Sequence, residues 1–218
     1  MAEWTLINTE NWPRYEHFRH FMEDSPCNVW LTDDIDVTSI HSACNKSGRS
    51  FYIAMLYTVS RVINSHDEFK LRAVDSPKFE RLMPAVWDRV DPVHNVFHEE
   101  SKTYTSTFTV YDHDFEVFYR HCAEDIERAR RLKTMSVPAG ENTFEASCIP
   151  WRHFTSVGAS IESIPLSPIV TWGKFAECDG RLMMPLSIQI NHAAADGFHL
   201  ARFLCEVEAL SATLAEEI

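Results

Sequence analysis

The stretch from Cys178 to Ala215 carries two periodicities back to back, and that junction constrains the fold more than any other part of the chain. Cys178-Asp179-Gly180 has the chemistry of a hairpin turn, because Asp-Gly accepts the positive φ such turns need. The residues that follow, 181–191, end in alternation: Ile188 and Ile190 are apolar, Gln189 and Asn191 polar. A period of two marks a half-buried strand. From Gly197 the spacing becomes mixed three and four, through Phe198, Leu200, Phe203 and Leu204, which predicts a helix to about Ala215. Between strand and helix stand His192, three alanines and Asp196.

The rest of the chain mixes the same two patterns without regular strand–helix alternation. Pro13 suits a first helical turn, and Phe18, Phe21 and Met22 give an apolar stripe, so a helix is expected from Pro13 to about Asp24. VTSIHSACNKSG reads as a short helix ending near Gly48, and residues 51–66 as a buried apolar helix. From Leu71 to Tyr111 the pattern is short and strand-like, and residues 113–133 form an amphipathic helix. Strands are expected near 143–148 and 168–176. No linker or repeat divides the chain, so residues 1–218 are read as one domain. The fold class is α+β, a two-layer sandwich of helices on a mostly antiparallel or mixed β-sheet.

Composition excludes several classes. An apolar content of 45% with 12% aromatic residues belongs to a folded chain. A net charge of −12 opposes non-specific binding to nucleic acid or to an anionic membrane surface. It leaves room for an anionic ligand at a local basic cluster, such as Lys46 with Arg49 or Lys174 with Arg181. There is no secretory n-region at the start and no run of about 18 apolar residues to span a membrane. The six cysteines form no CxxC pair, so neither a zinc site nor a disulfide framework is expected, and the cytoplasm is the expected compartment.

His192-x-x-x-Asp196-Gly197 places an imidazole where a neutral histidine serves as a general base, at a strand end braced by a turn. By itself that spacing is a weak signal. Other segments occur with it in a fixed order: NWPRYEHF (11–18), FYIAMLY (51–57), VWDRVDP and VFHEE (86–100), SCIPW (147–151), SPIVTWGKF (167–175) and MPLSIQINHAAADGFHLARF (184–203). Together they resemble the chloramphenicol acetyltransferases, the trimeric type within the coenzyme A-dependent acyltransferase superfamily.

The resemblance implies a fold, a reaction and roles. The fold is the coenzyme A-dependent acyltransferase fold. His192 matches the catalytic histidine, which takes a proton from a substrate hydroxyl as that oxygen attacks the thioester of acetyl-CoA. Ser147 matches the serine that donates to the tetrahedral oxyanion, and Thr171 a threonine that holds a water nearby. Asp196 matches an aspartate paired with an arginine, here Arg14, as structural support. Tyr52 and Lys174 match positions near the coenzyme A tunnel. Acetyl-CoA is then a co-substrate, with no permanently bound cofactor and no metal. The resemblance also implies a homotrimer with active sites between subunits.

The acceptor side departs from the family pattern. The usual His-His-Ala-Val-Cys-Asp-Gly reads Asn191-His192-Ala193-Ala194-Ala195-Asp196-Gly197 here. The positions matching the acceptor wall are His20, Phe21, Val29, Val93, Asn95, Tyr104, Val137, Ala159 and Ile161. Several are small where the family has aromatic groups, which reshapes a pocket that depends on aromatic contact. Two alternatives therefore stay open beside chloramphenicol O-acetylation: the same chemistry on a different small alcohol, and a non-catalytic binding homologue.

Other chemistry-bearing residues have plainer readings. His199 is seven residues after His192 but separated from it by the turn, and is expected to pack. His94 and His98 share a strand face and are expected on a pocket wall. Cys148 is expected as a buried structural thiol facing away from Ser147. Glu99–Glu100 and the basic run Arg128–Lys133 are expected on solvated faces.

Overall fold

The computed structural model describes residues 2–76, 81–132, 134–136, 139–160 and 166–218, with backbone alone at Ser76 and Arg81. Val137, Ile161 and Lys133 lie outside the described residues. The chain order is β1 (Trp4–Leu6), α1 (Tyr15–Arg19), β2 (Asn28–Asp36), α2 (Thr38–Ser47), α3 (Phe51–Ser65), β3 (Leu71–Ser76), β4 (Arg81–Trp87) and β5 (Asp91–His98). It continues with β6 (Thr103–Phe108), α4 (Phe115–Leu132), β7 (Thr143–Ile149), β8 (Ile169–Gly173), β9 (Ala176–Cys178), β10 (Arg181–Asn191) and α5 (Gly197–Leu214).

The hairpin signal holds. Asp179 (φ 50°) and Gly180 (φ 76°) both adopt positive φ, and β9 pairs antiparallel with β10 across them. The main sheet runs β2-β10-β8-β7-β5-β6, with β9 added beside β10. β7 pairs in parallel, with β5 on one side and β8 on the other, and the other strand pairs of this sheet among the described residues are antiparallel. A second, three-stranded antiparallel sheet is ordered β1-β4-β3. Helices cover the apolar face of the main sheet, so the α+β sandwich is the observed architecture.

That apolar face is Ala146, Val170, Trp172, Leu186, Ile188 and Ile190, each at most 1% exposed. Burying one such large side chain contributes roughly 1.5–3 kcal/mol. α3 is apolar nearly all round and sits deepest, with Ile53 through Ser60 buried. Ser50 caps its first turn by accepting from the Ile53 amide, and Gly48 ends α2 in the left-handed region.

The first helix departs from expectation. It begins at Tyr15 rather than at Pro13, and from His20 to Asp24 it widens into a π-helical turn, closed by the Ser25 amide donating to the His20 carbonyl at 2.9 Å. Apolar spacing does not separate the two helix types over so few residues.

Candidate active site

β10 delivers His192 to the end of the sheet, and three anchors fix it there. Its amide donates to the Cys27 carbonyl at 2.9 Å. Its Nδ1 lies 3.0 Å from the Ala195 carbonyl oxygen. A carbonyl only accepts, so Nδ1 carries the proton and Nε2 the free lone pair. The third anchor is Phe21, whose ring stacks on the imidazole with centroids 3.9 Å apart. The π-helical turn carries that ring. Asn191 is buried, and its Oδ1 accepts from the Ala193 amide, so it tightens the turn.

Arg14 holds this turn from behind with its whole guanidinium. Nη1 donates to Asp196 Oδ2 at 2.8 Å, Nη2 to the His192 carbonyl at 2.9 Å and Nε to the Ala193 carbonyl at 3.2 Å. Lysine, with one flexible ammonium, has no equivalent fork. The other oxygen of Asp196, Oδ1, accepts from the Phe198 amide and caps α5. His199 Nδ1 lies 2.9 Å from the same oxygen and 3.3 Å from the Asp196 amide nitrogen, which closes a capping box. Partial burial pushes the Asp196 carboxyl up, but the bonds from Arg14 and His199 outweigh it and leave a pKa of about 2. His199 is therefore more than packing. Its position one helical turn after Asp196 is the signal for this contact in the sequence.

The second half of the site is a cleft of about 890 Å³. It exists because β5 and β7 pair only from Asp91↔Thr143 to His94↔Ala146 and then part. Beyond that point β5 follows β6 and β7 follows β8. Asn95, Val96 and Phe97 line one lip of the split, and Ser147, Cys148 and Ile149 the other. Tyr52 and Trp172 stand between them, while Lys174, Arg130 and Glu99 also line it. Gly173 is required at this end: a Cβ there would fall 2.7 Å from the Phe154 ring and 2.8 Å from Pro185 Cγ.

The structure corrects two expectations. Cys148 lines the same cleft as Ser147 although strand alternation opposes them, because the opening passes between strands rather than over one face. Its thiol is part-buried and burial pushes its pKa up to about 12, which removes it as a thiolate nucleophile. His94 is not on a pocket wall but 0% exposed in the core. Glu99 and Arg130 are solvent-exposed as expected, and also stand at the cleft. Asn95 and Tyr104, assigned to the acceptor wall, share it with Tyr52 and Lys174 from the coenzyme side.

Thr171 lies opposite Ser147 in register, Ser187 opposite Thr171, and Thr32 opposite Ser187. A row of hydroxyls thus crosses four strands on the face away from the helices. Thr32 donates to Ser187, and Ser187 to the Val157 carbonyl. Two residues along, the Gln189 side chain both donates to the Ala159 carbonyl and accepts from its amide. Val29 pairs with Ile190 near His192, and Val93 pairs with Glu145.

The register also separates the two halves. Ser147 is two strands from Ser187, about 10 Å at ordinary spacing, and His192 is a further five residues along β10, roughly 17 Å. Proton transfer needs contact near 3 Å. Within one chain, His192 does not reach the cleft. Among the described residues no group of His, Cys, Asp and Glu is placed to hold a metal ion, and no helix is long and apolar enough to cross a membrane.

Fold and site together define a class. The chain superposes on the dihydrolipoamide acetyltransferase of Azotobacter vinelandii with a TM-score of 0.60 at 18% identity, covering 92% of this chain and 87% of that one. This is the fold of the coenzyme A-dependent acyltransferases. A model of the chloramphenicol acetyltransferase family matches residues 2–208, and the chain belongs to that family of acyltransferases. A chloramphenicol acetyltransferase of Streptomyces acrimycini is 37% identical over 211 residues, 94% of this chain and 93% of its own. A solved chloramphenicol acetyltransferase structure superposes with a TM-score of 0.82 at 25% identity, covering 95% of this chain and 99% of that chain.

Proposed function

We propose that the protein transfers the acetyl group of acetyl-CoA to a hydroxyl of chloramphenicol, with His192 as general base. The observation that carries this reading is the tautomer fixed at His192: Nδ1 is committed to the Ala195 carbonyl, so Nε2 is the basic atom facing outward. It takes the proton of the acceptor hydroxyl as that oxygen attacks the thioester carbonyl, and returns it to the coenzyme A sulfur when the intermediate collapses and the C–S bond breaks. The resulting oxyanion is stabilised by the Ser147 hydroxyl, and Thr171, beside it in register, holds a water at the same centre.

The separation of His192 from Ser147 supports a site shared between chains: the histidine of one subunit meets the cleft of the next, in a homotrimer. Acetyl-CoA fits the cleft by size and chemistry, with Tyr52 and Trp172 as apolar wall and Lys174 as a cation for its phosphates. Phe21 and Val29 beside His192, with Val93, Asn95, Tyr104 and Ala159, form the acceptor side. Six free cysteines suit a reducing compartment, and the cytoplasm is the proposed location.

Small side chains at Val29, Val93 and Ala159 favour a second reading, the same transfer to another small alcohol. The test is release of free coenzyme A from purified protein with chloramphenicol and with a panel of simple alcohols. A chloramphenicol rate far above the panel supports the first reading, and a rate no better than the panel overturns it. Loss of all turnover in His192→Ala supports the general base; turnover surviving that change refutes it.

A further inference from the structure

A chain of hydrogen bonds runs from the cleft to α4, through a buried residue the transfer mechanism does not use. Tyr52 on α3 lines the cleft and packs against Trp172, with ring centroids 5.6 Å apart. Its hydroxyl lies 3.2 Å from Nδ1 of His94 on β5. Nε2 of His94 lies 3.1 Å from the Thr109 hydroxyl, which donates to Asp125 Oδ2 on α4 at 2.9 Å. Arg128 closes the chain on the other oxygen of Asp125.

The directions follow from the last link. An ionised carboxylate only accepts, so Thr109 spends its proton on Asp125 and accepts from His94 Nε2–H. The ring then has one proton, and Nδ1 is left as acceptor for the Tyr52 hydroxyl. Each donor is polarised by the next, which strengthens the whole chain in a dry interior. Burial holds His94 neutral, with its pKa down at about 4.

We infer that His94 is a positioning residue: through the relay to Asp125 it fixes the Tyr52 ring as a wall of the cleft and so sets the affinity for acetyl-CoA. This rests on the proposal that the cleft takes acetyl-CoA. An apolar residue at this buried position would fill the space and leave the Tyr52 hydroxyl without its acceptor.

Steady-state kinetics on the full-length protein test it, with Tyr52→Phe, His94→Phe, the double variant and His94→Asn. Each single Phe variant is expected to raise the KM for acetyl-CoA about 3- to 10-fold, the size of one net hydrogen bond, with kcat little changed. The double variant should be no worse than either single one, and His94→Asn, whose oxygen can still accept from Tyr52, should recover most of the loss. Additive losses in the double variant, or an altered KM in Tyr52→Phe with none in His94→Phe, overturn the relay while leaving the cleft assignment standing. An unchanged KM in Tyr52→Phe overturns the cleft assignment of that residue and the inference with it. If His94→Phe fails to fold, Thr109→Val breaks the same relay one link further out, with the same expected KM effect.

Discussion

Arg14 and Asp196, 182 residues apart in sequence, meet at 2.8 Å, and the same guanidinium holds the successive carbonyls of His192 and Ala193. The strand end that presents the imidazole is thus tied to the start of the chain as well as to its neighbouring strand.

Replacing that fork should affect both stability and rate. Arg14→Lys keeps the charge but cannot serve three acceptors at once. We expect a loss of about 2 kcal/mol in urea unfolding, since the contacts are only partly buried, with a lower kcat. An unchanged unfolding midpoint with unchanged kcat would remove the brace from the account.

His192→Ala should leave the fold intact and lower kcat by about 10²–10⁴, the usual range for a lost general base. Circular dichroism and thermal melts report the first half of that expectation, and coenzyme A release the second. A collapsed melt would make His192 structural instead.

Ser147→Ala should lower kcat about 10²- to 10³-fold with little change in either KM, because its bond is made to charge that appears only in the transition state. Cys148, its neighbour in the cleft, behaves differently. With its thiol pKa pushed up to about 12 by burial, it should resist alkylation at neutral pH under conditions that label the exposed Cys178 and Cys205. Equal labelling of all three, read by peptide mass, would contradict the burial argument.

Acid stability should carry the signature of His94. Its folded pKa is about 4 against an ordinary 6.5, with burial as the cause. Above 6.5 neither state binds the proton and the group contributes nothing. As the pH falls below 6.5 the unfolded chain takes it up while the folded chain refuses it, so stability declines until about pH 4. The whole loss is on the order of 3 kcal/mol. His94→Phe has no such group, and its urea midpoint should fall less than the parent's between pH 7 and pH 4.5. Asp196 works lower down: with a pKa of about 2, its brace is fully present above about 3.8 and is lost as the pH falls through 2. Parallel pH curves for the parent and His94→Phe would sink the first of these expectations.

Most elements were legible because their periodicities are local. The alternation of Ile188 and Ile190 and the Asp179-Gly180 turn fixed β10 and its hairpin, and the stripe from Leu200 to Leu204 fixed α5. The parting of β5 and β7 was not legible, since it depends on where pairing between distant strands stops. His94 shows the same limit at one residue. Parity told which residues share its face but not whether that face meets solvent or helices. The brace of His192, Asp196 and Arg14 was legible only through resemblance, since nothing local joins residue 14 to residue 196. The contact of His199 with the Asp196 carboxylate was not legible as such, since the spacing alone is equally that of a packed helix residue.

The π-helical turn His20–Asp24 holds one residue more per turn than α geometry would. Phe21 reaches the face of His192 from within it. Deleting a single residue there would restore a regular α-helix with its flanks nearly in their old orientation, and would re-aim only the side chains inside the turn. A different side chain would then lie over the imidazole, with every other residue of the site unchanged. Chain length in this one turn is therefore a determinant of the site in its own right, and a variant library made by substitution alone would never sample it.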